Sequence, residues 1–136
     1  MKFFKRKMDT DSFTNLIAEN TQINGTVSFS GVIQIEGMVS GDVISSISIE
    51  GKPNEDCINV TETGTVSSNK MQATNIVISG HVKSKIIWAE DTLRILDSGR
   101  IEGALLYYRH LEIEPNAQIH NCQLKHLDCC SDNGAL

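Results

Sequence analysis

A chain of 136 residues is the size of one domain and can bury a core without disulfides or a metal. Residues 1–7 carry four basic and no acidic side chains, which leaves 8 basic against 17 acidic, net −9, on residues 8–136. An acidic body argues against nucleic acid as a partner, because phosphate binding needs a basic face on the folded part. The longest apolar runs, 86–89 and 104–108, fall far short of the roughly 20 residues needed to span a bilayer.

The chain opens with Lys2, Phe3, Phe4, Lys5, Arg6 and Lys7. Two aromatics can enter a lipid headgroup region while each cation gains about 1 kcal/mol near an anionic leaflet. Residues 1–12 are therefore expected to be a flexible, membrane-targeting tail, the bland alternative being a solvated, disordered start. No apolar stretch of a secretory signal follows Phe4. A cytoplasmic protein is expected, at the inner face of the membrane, with its four cysteines reduced.

From residue 13 onward a six-residue beat takes over. It runs through Ile23, Phe29, Ile35, Gly41 and Ile47, then Ile58, Gly64, Lys70, Ile76, Val82 and Trp88, then Ile95, Ile101, Tyr107, Ile113 and Ile119. The sixes add to eighteen, pairing Ile58 with Ile76, Val60 with Ile78, Gly64 with Val82 and Ile95 with Ile113. A helix of 3.6 residues per turn cannot keep such a period on one face, whereas three short strands per coil can. Phrases such as Ile35-Glu-Gly37-Met-Val39 and Ile78-Ser-Gly80-His-Val82 alternate apolar and polar positions around a glycine. They predict strands with one buried side, joined at corners where the glycine turns the backbone, with positive φ as one reason for it.

The phase slips twice. Gly51-Lys52-Pro53-Asn54-Glu55-Asp56 predicts a loop bulging from a corner, and one extra residue near Glu90-Asp91-Thr92 predicts a smaller bulge. Roughly six coils at the ordinary interstrand rise make a stack of about 29 Å. The prediction is an all-β, single-domain triangular solenoid over residues 13–126, with disordered termini at 1–12 and 127–136.

A solenoid leaves an unpaired edge and an apolar cross-section at each end, and most cover them with a cap. Phe13, Leu16, Ile17 and Ile23 lead directly into the first coil, and Ile119 and Leu124 close the last, with no convincing cap. These six residues are the candidate polymerisation interface. The alternative is that the tails fold over the ends and give a monomeric binding scaffold.

The stretches 16–25, Ile35-Glu-Gly-Met-Val-Ser-Gly-Asp-Val43, Ser98-Gly-Arg-Ile-Glu-Gly103 and Leu111-Glu-Ile-Glu-Pro-Asn-Ala117 resemble successive coils of the bactofilins, bacterial polymer-forming cytoskeletal proteins. The resemblance covers about residues 13–125. It implies a right-handed β-helix that polymerises end to end without nucleotide, carries an N-terminal membrane-targeting segment, and serves cell shape, polarity or cell-wall organisation. Cell-wall synthesis or hydrolysis enzymes are implied as further partners. The long corner loop at 51–56 and the short, Cys-containing C-terminus depart from the pattern and bear on partner choice.

Other sites compete weakly. His120, Cys122, His126, Cys129 and Cys130 are zinc-type ligands, but their spacing fits no standard finger or ribbon, so no metal is expected. Cys57 is expected to be packed rather than reactive. His81, after Gly80, invites comparison with hexapeptide-repeat acyltransferases, the enzymatic alternative, but an outward-facing surface histidine is the simpler reading. No catalytic residues and no cofactor are expected, because neither a phosphate loop nor a paired nucleophile and base is present.

Overall fold

The computed structural model describes residues 14–45 and 56–127. Phe13, the N-terminal segment, residues 46–55 and residues 128–136 lie outside the described residues, and with them the predicted disorder of the termini and all of the 51–56 loop except Asp56. Among the described residues, fourteen strands, all in parallel pairs, form one continuous sheet that winds through six coils. The first coil is β1 (Thr14–Ile17), β2 (Gln22–Asn24) and β3 (Val27–Phe29). The second is β4 (Val32–Ile35), β5 (Met38–Ser40) and β6 (Val43–Ser45). β7 (Cys57–Val60) opens the third, and β8 (Thr65–Ile78) and β9 (His81–Ile95) run unbroken around the corners of the third to fifth coils. β10 (Arg100–Glu102) and β11 (Leu105–Tyr108) complete the fifth. The sixth is β12 (His110–Ile113), β13 (Gln118–His120) and β14 (Gln123–His126). Each coil has three faces: face A begins with β1, face B with β2 and face C with β3.

Inward side chains stack in columns because strands in register place like positions about 4.8 Å apart. On face A the columns run Ile33, Ile58, Ile76, Leu93, Leu111 and Ile17, Ile35, Val60, Ile78, Ile95, Ile113. Face B stacks Ile23, Val39, Val66, Val82, Ile101 and Ile119. Face C stacks Val27, Val43, Met71, Ile87, Leu106 and Leu124. β-Branched residues dominate because two Cβ substituents fill a pleated surface well.

The beat of six is only partly structural. Ile35 to Val39 and Ile78 to Val82 turn the A–B corner in four residues, and Ile101 to Leu106 turns the B–C corner in five. Counting sixes therefore drifts off the inward face. Lys70, Trp88 and Tyr107, all on the beat, stand on the outer wall between buried neighbours such as Ile87 and Ala89. Val82 stacks on Val66, sixteen residues back, and not on Gly64. The small bulge is where the sequence puts it, since β9 carries one extra residue between Ala89 and Thr92 relative to β8. Val32 pairs with Cys57, so the long insertion lies between the second and third coils.

Asp56, read from sequence as part of that polar loop, is instead a buried tie. Its carboxylate accepts hydrogen bonds from the Gly31 backbone N–H (2.9 Å) and from the Ser45 hydroxyl, and it pins both flanks of the second coil.

Corner glycines at 37, 64, 80 and 99 are required by closeness rather than by positive φ, which none of the four adopts. A Cβ on Gly80 would sit 2.2 Å from the Thr61 carbonyl oxygen and 2.4 Å from that of Gly64. Gly80→Ala is expected to destabilise the fold by about 1–3 kcal/mol, the usual cost of forcing backbone apart in a packed site. Urea denaturation followed by circular dichroism measures this, and an unchanged midpoint would contradict the contact.

Candidate functional site: the two ends of the solenoid

Each coil satisfies its backbone through the coil on either side, and only the outermost coils lack a neighbour. Among the described residues β1, β2 and β3 pair on one side alone, as do β12, β13 and β14. Every interior column meets another coil above and below, but the last coil ends four aliphatic columns in the open. Leu124 is 49% exposed and Ile113 42% exposed, although Leu106 and Ile95 directly beneath them are fully buried. Leu111 and Ile119 on the same coil are half-buried and pack against the core. This surface is a core cut across, with an unpaired strand edge around it, and apolar burial and backbone pairing both favour covering it.

The first coil is built differently. Ile17 is only 5% exposed, Phe29 is buried, and Ile23 and Val27 are half-buried. Asn15 occupies the position where Ile33 and Ile58 stand in later coils, and its side-chain amide donates to the carbonyl oxygens of Ser30 (3.0 Å) and Val32 (3.2 Å). Leu16 is 57% exposed but belongs to an outward position, level with Gln34 and Glu112 on the side wall of face A. The candidate residues thus separate: Ile23, Ile119 and Leu124 are inward residues of terminal coils, Ile17 is sealed within its own coil, and Leu16 lies on the wall. Sequence reasoning missed Leu111 and Ile113, which the eighteen-residue echo places directly above Leu93 and Ile95.

His81 lies on the outer wall of face B, its Nε2 2.8 Å from a Glu102 carboxylate oxygen on the next coil. That hydrogen bond holds the Glu102 carboxyl below its ordinary value. Burial pushes the thiol of half-buried Cys57 up, which makes it a poor nucleophile. The Cys122 thiol donates to the His120 carbonyl oxygen at 3.3 Å, and His126 meets Tyr108 edge-on at 5.6 Å. Among the described residues no three His, Cys, Asp or Glu side chains come together as a metal-binding group, while Cys129 and Cys130 lie outside them. No helix among the described residues is long and apolar enough to cross a membrane.

A parallel β-solenoid whose last coil, among the described residues, ends on exposed apolar columns defines the class. The chain belongs to the bactofilin family: the family model, described as polymer-forming cytoskeletal, matches residues 15–123. No curated protein and no solved structure matches it.

Proposed function

We propose that the protein is a cytoskeletal scaffold that assembles end to end, without nucleotide, into filaments held at the inner face of the cytoplasmic membrane. The carrying observation is the open last coil, where Ile113 and Leu124 continue buried columns into solvent. Membership of a polymer-forming family supports self-association, and apolar burial with strand pairing supplies a driving force that needs no hydrolysis. Lys2, Phe3, Phe4, Lys5, Arg6 and Lys7 attach the filament to anionic lipid; they lie outside the described residues, and their chemistry supports the reading. One such segment binds weakly, but a polymer presents many together. Cell shape, polarity or cell-wall organisation, with wall enzymes as recruited partners, is the role we attach to such filaments, and the protein acts as a scaffold and not as a catalyst.

Two measurements test this. Negative-stain imaging of untagged protein with no nucleotide present should show filaments, and a single 15 kDa species at all concentrations would overturn assembly. Removing residues 2–7 should release the protein from phosphatidylglycerol vesicles in a co-sedimentation assay, and equal pelleting of both forms would sink the membrane segment.

A further inference from the structure

The three outer walls are not equivalent. The outward columns of faces A and B are mainly polar, carrying residues such as Gln34, Arg94 and Glu112, or His81, Arg100 and Glu102. Face C is different. One outward column runs Ser28, Ile44, Gln72, Trp88, Tyr107, Lys125 and its neighbour runs Lys70, Ile86, Leu105, Gln123. Five of these ten are apolar or aromatic, and all five are only half-buried. Trp88, the single tryptophan of the chain, stacks on Tyr107 with ring centroids 4.5 Å apart and planes tilted by 31°.

The charge around this strip is as distinctive. All four lysines among the described residues, at 70, 83, 85 and 125, lie on face C or beside its corner with face B, on a body that is acidic as a whole. Lys83 and Lys85 line a shallow groove at that corner together with Ser67 and Ser68. Of the acidic groups nearby, Glu90 stands exposed at the corner with face A, and the others are engaged. Asp42 accepts hydrogen bonds from the Asn69 and Lys70 backbone N–H groups, Glu102 holds His81, and Asp91 on the far corner lies 3.7 Å from His110.

We infer that face C is a membrane-contacting wall, which docks on an anionic bilayer surface with Trp88 and Tyr107 at headgroup depth and the lysines against lipid phosphates. Tryptophan and tyrosine settle at membrane interfaces because each has an apolar body and a polar tip. Lysines rimming an apolar strip complement anionic headgroups. A second copy meeting this face with its own face C would bring two sets of the same lysines together. Because the wall repeats along a polymer, weak contacts per subunit would lay the filament along the bilayer. The inference rests on the membrane reading above and adds to the N-terminal segment a second contact, made by the folded domain itself.

The lone tryptophan makes the test direct. Full-length protein is mixed with vesicles of phosphatidylglycerol and phosphatidylcholine whose acyl chains are brominated, and Trp88 fluorescence is followed beside co-sedimentation. The expected result is an emission shift to shorter wavelength with loss of intensity, absent with phosphatidylcholine alone. Lys70→Gln together with Lys85→Gln should weaken vesicle binding about thirty-fold, at about 1 kcal/mol per lysine near the surface. Vesicles that pellet the protein while Trp88 emission stays unshifted and unquenched would overturn the wall contact and leave the N-terminal segment as the tether. No pelleting at all would remove membrane association itself. A shift that accompanies filament formation without vesicles, and does not change when they are added, would assign face C to a second copy and also overturn the inference.

Discussion

Leu124→Arg should abolish filaments while leaving a folded monomer. Leu124 tops a column whose next member, Leu106, is fully buried, yet half of its own surface is open to solvent. In the monomer an arginine there reaches water from the rim of the last coil, and no buried neighbour is displaced. In an end-to-end contact the same guanidinium is trapped against another apolar cross-section with no partner, at a cost of about 3–5 kcal/mol per junction. That weakens each junction by a factor of roughly 10² to 4 × 10³ and raises the concentration needed for assembly correspondingly. Electron microscopy paired with circular dichroism reads both halves of the prediction. Normal filaments from this variant would falsify assembly through the last coil. Ile17→Arg is the wrong counterpart at the other end, because Ile17 is sealed within its own coil and the charge would unfold it.

Ile78→Ala should be the most damaging of the conservative core changes. Ile78 is fully buried and lies between Val60 and Ile95 in the longest face A column. Its neighbours are held at fixed rise by backbone hydrogen bonds to adjacent coils, so the column cannot collapse into the space left behind. The expected loss is about 2–5 kcal/mol, in the range of large-to-small substitutions at sites that relax poorly. For a domain of ordinary stability, about 5–15 kcal/mol, that is a large share. Val77→Ala, one residue earlier on the outer wall, should cost under about 1 kcal/mol. Urea melts of the two variants side by side check this, and similar midpoints would contradict the assignment of inward and outward faces.

Much of this architecture was legible before any coordinates. Ile58 with Ile76, Val60 with Ile78 and Ile95 with Ile113 echo at eighteen residues because they stack on one another, and alternation with glycine marks the corners. Register within face A follows from spacing where the echo is eighteen, but Ile35 to Val60 takes 25 residues and Ile78 to Ile95 takes 17. Faces B and C do not follow, because their corners take four, five or six residues, and a fixed count places Lys70, Trp88 and Tyr107 on the wrong side of the wall. Asp56 misled for another reason: an aspartate beside Pro53 and Asn54 reads as solvated turn, and only the folded chain brings Gly31 and Ser45 to its carboxylate. Leu16 stands on the side wall of face A, and apolar character near an end does not say which way a side chain points.

The sequence by itself determined a stacked solenoid of about six coils and its inward isoleucine and valine columns on face A, since local periodicity carries both, while the resemblance of particular coil segments, and not periodicity, pointed to a polymer-forming family. Tertiary structure alone decided that the two ends differ, Asn15 and a sealed Ile17 at one and open Ile113 and Leu124 at the other. It also gathered Ile44, Ile86, Trp88, Leu105 and Tyr107, scattered over more than sixty residues, onto one wall with lysines around them. The physical reason is the same in both cases. Exposure at a coil end and adjacency across coils depend on which strands become neighbours, and variable corners keep that information out of any single repeat.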